Sequence, residues 1–135
     1  MDRPAPTDNT SRLTQRRHRY LFTIGYDSGP QVAAALTGIR RGLAGLAGGY
    51  TEEALRGGWI EGAEDDCTDL SKLTEQQVRR FAVSVYRHGG PDADALRAAV
   101  APHAAAMGAR FVHCERWETE ALHFDCQPPA APDSR

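Results

Sequence analysis

Apolar residues recur along this chain at two spacings, every second residue or every third to fourth, and the alternation between these outlines the fold. From Tyr20 to Tyr26, the residues Tyr20, Phe22, Ile24 and Tyr26 alternate with Leu21, Thr23 and Gly25, which predicts a strand with one strongly apolar face. Ser28 as a cap and Pro30 in a first turn then introduce Val32, Leu36, Ile39, Leu43 and Leu46, and Gly48-Gly49 closes a helix predicted over 30–47. Gly38, Gly42 and Gly45 inside it each cost about 1 kcal/mol relative to Ala, so close packing of this helix on a sheet is expected to offset them.

Tyr50 to Ile60 mixes a capped helical turn at Thr51-Glu52-Glu53 with Gly57-Gly58, Trp59 and Ile60; the glycines and aromatics favour a kinked strand. Residues 61–73 read as an acidic loop. Thr74 to Arg87 fits a helical stripe and an alternating strand equally in spacing, and the β-branched and aromatic run Phe81 to Tyr86 decides for strand. Pro91, Asp92 and Asp94 open a second helix with Leu96, Ala99, Val100, His103 and Met107 on one side, and Pro102 predicts a kink or break near 98–102. Ala109 to Trp117 is a final strand, which Ala121 to Asp125 continues or pairs with after Glu118-Thr119-Glu120 as a bulge or turn.

Strand, helix, strand, strand, helix, strand is the element order of a ferredoxin-like α+β fold, an antiparallel sheet with two helices on one face. The other face is then open or covered by a partner. With 135 residues, 41% of them hydrophobic, the chain suffices for one modest core. Residues 1–18, with Pro4, Pro6 and several Arg but little to bury, are expected to be a disordered basic arm; 19–126 form the domain, and 127–135, with three prolines, a disordered tail.

The opening strand Tyr20 to Gly25, followed by Gly49-Tyr50-Thr51 and Gly58-Trp59, resembles a loose set of short, uncharacterised bacterial, phage and plasmid proteins with a Tyr-Leu-Phe-Thr-Ile-Gly-like first strand. The resemblance extends thinly over about residues 20–125 and implies the ferredoxin-like topology. It brings no catalytic residues. It implies an accessory gene of a mobile element, with an anti-defence or host-interaction role among the expectations.

A formal charge of −2 provides no global attraction to nucleic acid or anionic membrane, but the charge is unevenly distributed. Arg3, Arg12, Arg16, Arg17 and Arg19 crowd the N-terminal stretch, whereas Glu61, Glu64, Asp65, Asp66, Asp69 and Glu75 face only Lys72 in residues 61–75. No apolar run is long enough to span a bilayer and no signal-like h-region follows the first charges, so a cytoplasmic protein is expected. Cys67, Cys114 and Cys126 are too few and too far apart for a disulfide framework, and reduced thiols follow.

The candidate chemistry is sparse. Cys67, His113, Cys114, His123 and Cys126 lack zinc-ligand spacing, so no metal and no cofactor is expected. His113, Glu115, His123 and Asp125 sit two apart in pairs, which on strands would put a His and a carboxylate on one face. The main reading is a non-enzymatic binding protein whose expected partner is a protein with a basic surface, using Glu64, Asp65, Asp66 and Asp69 with the aromatic residues Tyr50, Trp59 and Trp117, and self-associating as a dimer through its sheet. A second reading is a dimeric small-molecule-binding protein or cofactor-free enzyme with a pocket holding His113, His123 and Asp125. A third is nucleic-acid binding through Arg12, Arg16, Arg17 and Arg19.

Overall fold

The computed structural model describes residues 14–127. Its elements are β1 (Thr14–Tyr26), α1 (Val32–Ala47), β2 (Thr51–Ile60), a 3-10 turn (Leu70–Lys72), β3 (Leu73–Tyr86), α2 (Ala93–Ala106) and β4 (His113–Leu122). The four strands form one antiparallel sheet in the order β2-β3-β1-β4, the ferredoxin-like α+β arrangement. No helix among the described residues is long and apolar enough to cross a membrane.

The alternation in β1 separates the two faces of the sheet. Tyr20, Phe22, Ile24 and Tyr26 are buried beside Phe81, Val83 and Val85 of β3 and pack against Leu36, Ile39 and Leu43 of α1 and Leu96, Val100 and Met107 of α2. Burial of a side chain of this size contributes roughly 1.5–3 kcal/mol, so this single layer supplies most of what holds the fold. The intervening residues Arg19, Leu21, Thr23 and Gly25 point to the face that neither helix covers.

Several local expectations change. β1 starts at Thr14, so Arg16 and Arg17 stand in the sheet rather than in an arm, and Arg17 is 8% exposed. Residues 1–13 and 128–135, which hold the rest of the expected arm and tail, lie outside the described residues. Ser28 does not cap α1; its hydroxyl accepts a hydrogen bond from Gln77 Nε2 at 2.6 Å. Gly48 ends α1 in the left-handed conformation at φ 81°. α2 begins as expected, with the Asp92 carboxylate accepting from the Ala95 N–H at 2.9 Å, but it passes through Pro102 without a break. β4 is one continuous strand, with neither bulge nor turn at Glu118 to Glu120.

The helical glycines serve the contact between helices rather than a contact with the sheet. A Cβ on Gly38 would fall inside the His103 imidazole of α2, and one on Gly42 would lie 3.2 Å from Ala99 Cβ. The His103 ring, expected on the apolar side of α2, therefore occupies the space that the missing methyl leaves. Gly45 has nothing within 4 Å and no packing role of this kind.

Candidate functional site: the open face of the sheet

The alternation that buries Phe81, Val83 and Val85 leaves Val78, Arg80, Ala82, Ser84 and Tyr86 of β3 on the uncovered face. Register adds Leu55, Gly57 and Trp59 from β2 and His113, Glu115, Trp117 and Thr119 from β4. Aromatic and guanidinium groups meet at the end where β1 begins. Arg17 lies 4.1 Å from the Tyr86 ring centroid while donating to Gln15 Oε1 and the Ser84 carbonyl, and Arg19 lies 5.7 Å from the Trp117 ring. Such cation–π contacts contribute about 0.5–1 kcal/mol at exposed sites and hold the side chains flat along the strands.

At the opposite end a cleft of about 340 Å³ opens between Trp59, Phe111, Gln76, Arg80, Arg110 and His113. Two glycines shape its floor. A Cβ on Gly25 would stand 2.5 Å from Gln76 Oε1 and 3.4 Å from the Trp59 ring, and one on Gly57 would stand 2.7 Å from Val78 Cγ2. The glycines therefore let Trp59 and Gln76 lie down on the sheet, and Trp59 meets Phe111 edge-on at 6.4 Å. Gln76 Nε2 donates to Asp27 Oδ1 at 3.1 Å, which turns Gln76 Oε1 inward, where it has no partner; Arg80 Nε is also buried and unpartnered.

The His–carboxylate candidates separate. His113 Nε2 and Glu115 Oε2 are 2.8 Å apart, an exposed couple on the cleft side. His123 lines a different cavity, with Arg17, Arg19 and Ser84, beyond the far end of β4. Ten residues of strand put roughly 30 Å between the two histidines. Asp125 accepts from the Gln127 N–H at 2.9 Å and reaches neither histidine. Cys114 faces away from His113, toward a groove of about 590 Å³ beside α2, and desolvation pushes its thiol pKa up, against nucleophilic activation. No group of three or more metal-ligating side chains occurs among the described residues.

The acidic segment leaves the sheet right after Trp59 and Ile60. Asp66 accepts from Thr68 N and Oγ1, which holds its carboxyl below the usual range, and Asp69 accepts from Ser71 N and Oγ. These two carboxylates therefore shape their own turn, whereas Glu64 and Asp65 are exposed. Of the other aromatic candidates, Tyr50 packs toward the core, 6.1 Å from Phe81, and Tyr26 is buried beneath Arg79. Arg16 is exposed and Arg12 lies outside the described residues.

Sequence reasoning missed Arg80, Gln76 and Phe111 as cleft residues and Glu52 as a structural hub. Glu52 Oε1 receives Arg40 Nε at 2.7 Å, and its Oε2 receives Arg40 Nη2 at 2.8 Å and Arg79 Nη1 at 2.7 Å. Arg79 Nη2 in turn donates to the Tyr26 hydroxyl at 3.1 Å. Strand glycines at 25 and 57 were the available signal for the cleft, since a glycine inside a strand marks close approach. Compared with family models, curated proteins and solved structures, the chain matches none of them.

Proposed function

We propose that this chain is a small non-enzymatic binding protein that docks a protein with a basic surface against the open face of its sheet. The observation behind this reading is the one-sided cover of the sheet. Both helices lie on one face, and Trp59, Trp117 and Tyr86 occupy the other, with the acidic segment emerging at the Trp59 end. Trp and Tyr provide large apolar area with a polar tip, the composition of interface anchors, and neighbouring carboxylates would select and steer a basic partner. An anti-defence or host-interaction role is the biological setting that the sequence resemblance implies.

The test is capture of native partners by the full chain, repeated with two sets of variants. Trp59→Ala with Trp117→Ala, and charge reversal at Glu64, Asp65, Asp66 and Asp69, should each abolish capture, while His113→Ala with Glu115→Ala leaves it intact. The opposite pattern sinks this reading.

A second reading is a small-ligand site. The observation in its favour is the cleft itself, whose volume falls within the range of ligand pockets and whose wall carries His113, hydrogen-bonded to Glu115 beside it.

A further inference from the structure

The sheet order leaves β2 and β4 each with an unpaired edge. β4 turns Cys114, Arg116, Glu118 and Glu120 toward the helix side, and, as in β2, none of its residues is buried. Among the described residues Arg116 makes no ion pair, and Glu118 has only a loose one with Arg87 at 3.7 Å. An exposed edge presents unpaired N–H and C=O groups as a template for another strand, and cross-strand charges decide which strand fits.

A second copy can pair antiparallel with this edge about a two-fold axis normal to the sheet. Side chains alternate faces, so if the open faces are to stay on one side, paired residues must both be odd or both even, and the axis must pass through a residue. Centring on Glu115, Arg116 or Glu118 opposes two like charges at the axis, and centring on Thr119 opposes Glu118 and Glu120 twice. Centring on Trp117 opposes none. It sets Arg116 against the partner's Glu118 and, by symmetry, Glu118 against the partner's Arg116, with the two Trp117 rings paired on the open face. The other edge has one comparable match, Glu52 against the partner's Arg56 about Ala54, but there Glu52 is already held by Arg40 and Arg79.

We infer that β4 pairs with β4 of a second copy in this register, which joins two four-stranded sheets into one of eight strands. The pairing does not rest on the docking reading, although it sets the two Trp117 rings side by side on the same open face. It also reassembles chemistry that a single chain separates. Carried past the strand end, the register sets the partner's His123 opposite Phe111, at the wall of the cleft that holds His113.

Sedimentation equilibrium of the full chain over a concentration series tests the pairing. The expected mass is twice 14.7 kDa. Arg116→Glu and Glu118→Arg alone should each raise the dimer Kd about tenfold, and the double variant should return it to within about threefold of the parent, since the charges are then exchanged and again matched. With Cys67, Cys114 and Cys126 replaced by Ser, Trp117→Cys should form a covalent dimer under mild oxidation, whereas Glu115→Cys, offset from its own symmetry mate by four positions, should not. A chain that stays monomeric up to about 1 mM overturns the inference. So does a dimer whose Kd ignores both single reversals, or one that the double variant fails to restore.

Discussion

The two edge strands have the same length and flank the same central pair, yet one is tied down from the helix side by a tight carboxylate network and the other only by Arg87, at the Thr119 carbonyl and loosely at Glu118. β2 turns Glu52 inward, and Arg40 of α1 and Arg79 of β3 bind both carboxylate oxygens. β4 turns Arg116, Glu118 and Glu120 to the same side of the sheet and none of them is buried. The backbone ladders joining each edge to its neighbour are alike, so the contrast resides in the side chains beneath the sheet. On β2 the inward carboxylate is fully engaged and, among the described residues, only Arg56 lacks an ion pair; on β4 Glu118 has one loose contact with Arg87, and Arg116 and Glu120 have none.

The sharpest way to break this contrast is Glu52→Ala. Arg40 and Arg79 would lose their carboxylate in a partly buried setting, and unfolding by denaturant should show a loss of about 2–3 kcal/mol, below the range for fully buried pairs because Arg40 is half-exposed.

The same group has a pH signature. The Arg40 hydrogen bond, partly opposed by desolvation and reinforced by the charges of Arg40 and Arg79, holds the Glu52 carboxyl below its ordinary value. The folded state thus binds this proton less tightly than the unfolded state. The stabilisation is complete above the ordinary glutamate value and is lost as pH falls through the lowered one. Stability measured against pH should therefore have an acid limb that is shallower in Glu52→Gln than in the parent.

Next in size is Gly57→Ala on the open side of β2. Its methyl would meet Val78 Cγ2 at 2.7 Å, and thermal or chemical unfolding should show a loss of about 1–2 kcal/mol from overpacking. At the small end stands Arg116→Glu in the monomer. With no intrachain partner to lose, the dilute protein should change stability by less than about 0.5 kcal/mol, whatever happens to association. A larger change would mean that β4 is finished within the chain after all.

The element order and the core of β1 were legible because both depend on residue type at fixed spacing. Tyr20, Phe22, Ile24 and Tyr26 announce a half-buried strand wherever they fold. The start of β1 was not legible, because Thr14 to His18 are polar and join the sheet through backbone pairing with β4 and β3 and through the Arg17 contacts, none of which leaves an apolar trace. Pro102 predicts a kink or a break in α2; there is no break, and the helix continues beyond it with Ala104 and Met107 buried against the core. Gly38 and Gly42 were visible as anomalies, but whether their neighbour was a sheet or a helix depended on tertiary packing. The candidate site was half legible. Trp59 and Trp117 stood out as aromatics on strands, whereas Arg80, Gln76 and Phe111 join the cleft only through register and a loop, and the 30 Å between His113 and His123 follows from β4 being unbroken.

One consequence of the Gly25 contact concerns how β2 finds its alignment. The doublets Glu52-Glu53 and Gly57-Gly58 make this strand nearly self-similar under a shift of one position: a displaced β2 would still offer a carboxylate to Arg40 and Arg79 and a glycine to Val78. Trp59 is the residue that such a shift would misplace, since the alternation would send its ring to the helix side and leave Ile60 over Gly25. The indole resting on a bare backbone therefore acts as an alignment key, choosing between two pairings that the charges and glycines of the strand accept almost equally.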